Sequence, residues 1–482
     1  MAFDSITFIF FFLPIVLSLY FLIPERFRNP FLIGASLIFY AWEEGRYVLA
    51  IVFYMVFNYY FGVLIEKYRF SAQESANRKA KTTFVFSLAF NLGALIIFKY
   101  LSFIVANINS LIEFTGYSLG NLRIHPPIGM SFFAFMAVSY VVDVYRRNVK
   151  AQKSIAIFSM YESLFPKLLA GPIVRYRDMA SQVDNHPVTL EMFSQGVQRF
   201  MLGLGKKVLI ANSVGTMADQ IFRMPVAQLS FSLSWLGAIC YTLQIYFDFS
   251  GYSDMAIGIG KMLGFEFLEN FRYPYISKSV REFWRRWHIS FSTWLRDYLY
   301  VPLGGNQKGA GRTLINLIIV FFLCGLWHGA KWTFVIWGLW HGLFLIIERT
   351  RFGKLLDSNK SLGHIYTLWV VSTGWVFFRS ESLSYAANYL CALIGLGNGV
   401  HSAFMFLDLK TSLAISLGMI GSTPVTEKIK VLLQRGEVSG PFFRAVVRCS
   451  SILSLIYVYA VFALSVIFVS IRTYNPFIYF QF

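Results

Sequence analysis

Long apolar runs separated by short polar stretches dominate the chain. The first, Ile6 to Ile23, is long enough to cross a hydrocarbon core of about 30 Å as a helix, and it lacks the basic leader and small-residue cleavage site of a secretory signal, so it is expected to stay in the chain. Phe31–Trp42 and Tyr47–Ile65 read as a helical hairpin with Glu43 and Glu44 near its tip, followed by crossings at Thr83–Ile104 and Ile128–Val144. Ile155–Gly171 is different, because Pro166 interrupts it and Gly171-Pro172 follows. This is the pattern of a broken or re-entrant segment, which inside a membrane usually lines a cavity. Clear runs resume at Gly196–Ile210, Leu233–Gly264, Thr313–Leu326, Thr333–Ile347, Ile365–Phe378 and Ser450–Val469. The pattern predicts roughly eleven helices, some short or tilted.

Composition supports this pattern and closes other classes. Of 482 residues, 56% are hydrophobic and only 14% charged, against about 25% charged in a soluble domain. A water-soluble enzyme and a disordered chain are both excluded. The net charge of +18 would suggest nucleic acid on a soluble domain. Here it has a simpler source in loops carrying Arg26 and Arg28, then Lys67, Arg69, Arg78, Lys79 and Lys81, then Arg146, Arg147, Lys150 and Lys153. Those loops are expected in the cytoplasm, with the N-terminus, preceded only by Asp4, outside. Arg435, Arg444 and Arg448 before the last run likewise put the tail Tyr474–Phe482 outside. The reading is an all-α polytopic protein, one integral membrane domain over residues 1–482 surrounded by lipid, with a core at about 120–350, N-terminal helices over 1–119 and C-terminal helices over 351–482. No soluble domain or internal repeat is visible, which weakens a transporter built from inverted halves.

Polar groups inside apolar runs are costly, and so are the first functional candidates. Tyr246 to Asp254 places Asp248, Ser250 and Asp254 in an otherwise apolar segment, where Gly251, Gly258 and Gly260 would allow close helix approach. The two carboxylates serve either helix packing around a hydrated cavity or contact with substrate. From Arg281 to Arg296, Arg281, Arg285, His288, Ser292 and Arg296 fall on one helical stripe and Trp284, Trp287, Phe291 and Leu295 on another, which predicts an amphipathic interfacial helix. Headgroup anchoring explains its arginines but gives no reason for His288. Cys324 to Ala330 ends an apolar run on Trp327-His328-Gly329. An imidazole there can take a proton near neutral pH, and the flanking glycines would leave room for a substrate. His341, in a second Trp-His-Gly, leaves open which histidine matters. Cys240, Cys324, Cys391 and Cys449 are too scattered for a disulfide framework, and the seven histidines show no metal-ligand spacing.

At these clusters the chain resembles the membrane-bound O-acyltransferase family, in its branch that O-acetylates alginate and other exported bacterial polysaccharides. The resemblance is carried by Phe247–Ala256, Glu269–Tyr275 including Asn270, Phe283–Ser290, Leu295–Asn306 and Gly325–Ala330, and extends more weakly to Pro127–Phe132 and Leu169–Pro172. It implies a ring of tilted helices around a tunnel in the bacterial inner membrane, where a cytoplasmic donor, acetyl-CoA, meets an acceptor on the outer side. It also implies His328 as the essential histidine, His288 as the second active-site position, and Asp248, Ser250, Asp254, Asn270 and Trp327 along the tunnel. Arg285 and Arg286 could receive the phosphates of coenzyme A. His288 or a backbone N–H near Gly329 could stabilise the oxyanion, and a thioester at Cys324 is a further route. A separate periplasmic acetylesterase-like protein is the expected partner. Two other readings remain. One is a transporter or flippase using Asp248, Asp254 and His328 as a proton relay; the other is a lipid- or teichoic-acid-modifying acyltransferase of the same fold.

Overall fold

The computed structural model describes residues 1–71, 74–120, 124–425, 427 and 441–471. The tail Tyr474–Phe482 and Arg435 lie outside them. Among the described residues the secondary structure is helical, apart from one isolated β-bridge between Leu229 and His401.

A π turn at Phe8–Phe12 runs into α1 (Leu13–Leu22). The expected hairpin is α2 (Arg28–Glu44) and α3 (Val48–Arg69), turning at Gly45, whose φ of 51° suits a residue without a Cβ. α4 (Glu74–Leu95), a π turn at Ile96–Tyr100 and α5 (Leu101–Ile112) form one helix longer than the apolar run inside it, and α6 (Met130–Tyr145) follows. The broken segment is α7 (Ile155–Ser163) and the short α8 (Phe165–Leu168), parted where Leu164 leaves the helical region at ψ 112° with Pro166 in the next turn. Residues 160–176 are buried throughout. Irregular backbone is tolerated there because protein covers it.

After α9 (Tyr176–Met179) come α10 (Leu190–Gly205), a π turn at Lys206–Ala211, α11 (Asn212–Phe222) and α12 (Phe231–Met262). With 32 residues, α12 is about 48 Å long and buried along nearly all of it, with α8, α10, α11, α18, α19 and α20, the last three defined below, packed against it. A helix with apolar residues on all its faces is buried in a core or spans a membrane, and α12 is covered by other helices of this chain. Lipid-facing length lies elsewhere. The helical stretches Glu25–Arg69, Ser75–Thr115, Ala310–His328 and Ile452–Ile471 are long and apolar enough to cross a membrane.

The stretch from Arg281 to Arg296 departs from expectation. It is not one amphipathic helix but two, α13 (Val280–Arg286) and α14 (Ile289–Leu295), broken at Trp287-His288 and followed by a π turn at Arg296–Tyr300. Nor does it lie on the surface as a whole, since Trp284, Trp287, His288 and Phe291 are all buried. α15 (Ala310–His328) and α16 (Trp332–Ile347) pack as a close pair, and α18 (Lys360–Arg379) returns along α16 with the short α17 (Arg351–Ser358) packed on it. α19 (Leu383–Leu393) and α20 (Leu409–Gly421) fall where the hydrophobic pattern predicted no element, and α21 (Pro441–Ile471) contains the last predicted run.

Candidate active site

The site is built around the C-terminus of α15. His328 is its last helical residue, because Gly329 turns extended at φ −170°. The expectation that the neighbouring glycines leave space for a substrate is corrected. A Cβ on Gly325 would lie 2.3 Å from the Phe334 carbonyl oxygen, one on Gly338 2.1 Å from that of Phe321, and one on Gly329 2.3 Å from the Phe334 ring. The glycines let α15 and α16 touch backbone to backbone. They thereby push the His328 ring into an aromatic setting, with centroids of Trp327 at 4.7 Å, Trp337 at 4.8 Å, Phe378 at 5.2 Å and Phe291 at 5.8 Å.

His288 is held by a different device. It adopts φ 41° and ψ 56°, the left-handed region, between α13 and α14. The loop residue Asn270 fixes this break. Its backbone oxygen accepts from Ile289 N–H at 2.9 Å, and its Oδ1 accepts from Ser290 N–H at 3.3 Å and Ser290 Oγ at 2.9 Å. Asn270 Nδ2 in turn donates to Ser253 Oγ on α12 at 3.1 Å. His288 Nδ1 lies 3.1 Å from the same Oδ1. Since the backbone N–H of Ser290 identifies that atom as oxygen, Nδ1 must carry the proton, and the lone pair of the neutral ring is on Nε2. In this tautomer a neutral His288 is an acceptor at Nε2, which favours the backbone N–H near Gly329 of the two expected oxyanion donors. Phe291, stacked on Trp327 at 4.3 Å, is in ring contact with both histidines, 5.0 Å from His288 and 5.8 Å from His328.

Two cavities approach this turn. One, of about 430 Å³, opens between Arg281, Arg285, Arg296 and Arg349 and runs along Leu317, Val320 and Phe321 to Cys324. A more polar recess of about 550 Å³ adjoins its mouth, adding Lys354 and Asp357. The other cavity, of about 370 Å³, is lined by Lys99, His125, Ser131, Phe132, Trp327 and His328 among others. Cys324 and His328 are four residues apart on α15, one turn along the same face of the helix, so the two cavities reach successive turns at its C-terminal end. Beside Arg296, which lines the first cavity, Asp297 is pushed up by burial but held below the usual carboxylate range by Arg296, Arg177 and Arg175.

The predicted residues divide accordingly. Arg285 lines the first cavity together with Arg281, Ser292 and Arg296, so most of the basic stripe survives the broken helix. Arg286 does not join it; its guanidinium bonds Glu282 at 2.9 Å and the Arg272 carbonyl at 3.0 Å. His341 is buried beside Trp284 and Trp337 and lines neither cavity, so of the two Trp-His-Gly histidines only His328 borders one of them. Asp248 and Asp254 are ion-paired on α12, Asp248 with Lys207 at 2.6 Å and Asp254 with Arg199 at 2.7 Å and Lys206 at 2.6 Å. Ser250 is buried on the same helix and lines neither cavity. Gly196 and Gly203 of α10 meet Gly258 and Gly251 of α12, where an added Cβ would come within 2.6–2.7 Å of the facing carbonyl. Gly260 instead faces the Phe267 ring.

Several residues here escaped the sequence reading. Lys99, Lys207 and Arg199 carry charge into the helical bundle, and a lone cation inside an apolar run, as in Phe98-Lys99-Tyr100, was the available signal. Arg349 gave none, since only the fold brings it to the first cavity.

The chain is similar to known proteins along most of its length. Residues 48–353 match the family described as MBOAT, membrane-bound O-acyltransferase. The chain is 39% identical over 507 residues to a probable alginate O-acetylase AlgI of Azotobacter vinelandii, covering 100% of both chains. It is 44% identical over 400 residues to a probable alginate O-acetylase AlgI of Pseudomonas syringae pv. tomato, covering 83% of this chain and 76% of that one. It is also 35% identical over 438 residues to a peptidoglycan O-acetyltransferase of Helicobacter pylori, covering 83% and 81%.

Proposed function

The chain belongs to the membrane-bound O-acyltransferase family, and from that premise we propose that this multi-pass membrane enzyme O-acetylates an exported polysaccharide, with alginate favoured by its alginate O-acetylase relatives. One observation carries the reading: two separate cavities reach the C-terminal end of α15, one lined by Cys324 and the other by Trp327 and His328 one turn further on. A donor and an acceptor can then approach one histidine from separate entrances. Acetyl-CoA is the donor. Its phosphates suit the guanidinium forks of Arg281, Arg285, Arg296 and Arg349, and its pantetheine arm suits the apolar wall leading to Cys324. The basic mouth faces the cytoplasm and the N-terminus lies outside, as the basic loops require in a bacterial inner membrane.

The acceptor hydroxyl enters past Lys99 and Ser131 and attacks the thioester carbonyl. His328 takes the hydroxyl proton as the new C–O bond forms; the C–S bond then breaks and coenzyme A leaves as the thiol, with that proton returned to sulfur. General-base assistance of this kind contributes about 10²–10⁴ in rate. His288, with its lone pair at Nε2, is a second proton acceptor at the site, and the oxyanion donor falls to backbone N–H at Gly329, a role worth about 3 kcal/mol. A soluble periplasmic acetylesterase-like partner places the acetyl group on the polymer, since a cavity of about 370 Å³ suits one sugar or side chain and not a polymer strand.

The test is release of free coenzyme A from acetyl-CoA supplied to the cytoplasmic face of membrane vesicles, with the partner present, for wild type and His328→Ala at matched levels. Release that depends on His328, with label reaching the outer compartment, is the expected result. Equal release from the variant removes His328 as base. Translocation of an acyl group or glycan without acetyl-CoA consumption turns the reading to a flippase. Competition by long acyl donors turns it to a lipid-modifying relative.

A further inference from the structure

We propose that Lys99 is a positioning residue for His328, clamping the end of α15 through its last carbonyls. The inference rests on the acetyl-transfer reading above, because it assigns Lys99 no chemistry of its own. A helix end leaves its final carbonyls without partners inside the helix, and α15 ends on the very residue that must aim a side chain into a cavity. Here the missing donors come from two consecutive residues of one π turn. Tyr100 Oη–H donates to the Leu326 carbonyl at 3.1 Å, and Lys99 Nζ donates to that of Trp327 at 2.5 Å, with the His328 carbonyl 3.5 Å away.

Three further features fit a clamp. An ammonium at a helix C-terminus is favoured by the helix dipole. The same Nζ lies 5.6 Å from the centre of the Trp327 ring, within cation–π range of the residue before His328. Lys99 also lines the cavity that His328 borders, so it fixes the wall and the base together. A lysine inside a hydrophobic run is costly, and this one makes no ion pair among the described residues; its interactions are with the end of α15. The π turn at Ile96–Tyr100 is part of the device. Such insertions re-aim side chains and recur at functional positions, and this one presents Lys99 and Tyr100 to the same helix end.

The test compares Lys99→Met, which keeps the length and removes the donor and charge, with Lys99→Arg, in full-length protein in vesicles. The readouts are kcat and KM for acetyl-CoA, and the rate at which diethyl pyrocarbonate modifies His328, followed by peptide mapping. Small misplacements of a catalytic group cost on the order of 10² in rate. Lys99→Met is expected to lower kcat by ~30-fold or more at unchanged donor KM and to alter the His328 modification rate, while Lys99→Arg stays within a few-fold of wild type on both readouts. Wild-type kcat and modification rate in Lys99→Met overturn the clamp, as does a loss of activity that follows protein level alone and that Lys99→Arg does not rescue. If wild type itself consumes no acetyl-CoA, the acetyl-transfer reading fails, and the modification rate still decides whether Lys99 holds His328.

Discussion

Two buried polar regions of this molecule lie on neighbouring helices and solve opposite problems. Between α10 and α12, glycines bring the backbones together, and three cations, Arg199 of α10 with Lys206 and Lys207 of the turn after it, are met by Asp248 and Asp254 of α12 and by Glu269 of the loop that follows. At the end of α15, glycines again bring backbones together, here those of α15 and α16, but the polar groups are imidazoles, and one of them borders a cavity. Carboxylates that each face a cation suit architecture. An ionisable ring in a cavity wall suits the chemistry proposed for it. The intramembrane polar residue is thus a useful first flag, but its partners decide what the flag means.

Substitutions can break this comparison. The largest effect is expected for His328→Ala, a loss of about 10²–10⁴ in acetyl transfer with unchanged protein level in the membrane. Asp248→Ala should do the reverse, leaving Lys207 buried without its partner at a cost of about 3–5 kcal/mol, read as loss of folded protein in a thermal or denaturant assay. The double replacement Asp248→Leu with Lys207→Met should recover folding and leave transfer intact. If it folds and does not transfer, the α10–α12 seam contributes to the reaction and the comparison collapses. Asn270→Ala removes the acceptor that holds the His288 tautomer and the α13–α14 break; about 1–3 kcal/mol is expected from one such buried bond, seen as roughly a tenfold or greater fall in kcat. The smallest contrast is between neighbours. Arg285→Ala should raise the KM for acetyl-CoA severalfold, whereas Arg286→Ala, whose half-exposed pair with Glu282 is worth about 0–1 kcal/mol, should leave it near wild type.

Much of this was legible from residue order. Apolar runs predicted the hairpin, the long helix through Tyr246–Asp254 and the break at Pro166, because length, hydropathy and proline chemistry act locally. The glycines at 251 and 258 were rightly read as close-contact positions. The glycines beside His328 were not, since whether a missing Cβ leaves a gap or a contact depends on the helix across from it. The periodicity over Arg281–Arg296 placed the arginines on one side correctly and still missed the break. Asn270, which holds that break from outside the segment, has no signature in the segment itself.

Composition and pattern by themselves determined that the chain is helical and lives in a membrane, and its motifs pointed to His288 and His328. Those properties follow from local hydrophobicity and from residue types whose cost in an apolar setting is high wherever they fall. Tertiary structure alone decided that Asp248 and Asp254 are matched by cations, that Arg286 turns away where Arg285 lines a cavity, and that Lys99 meets the end of α15. The first and the last of these depend on partners far away in sequence, and the second on how the helix through Arg285 and Arg286 is broken and packed. A buried charge is satisfied or left to function by what packs against it in three dimensions, and spacing along the chain does not encode that.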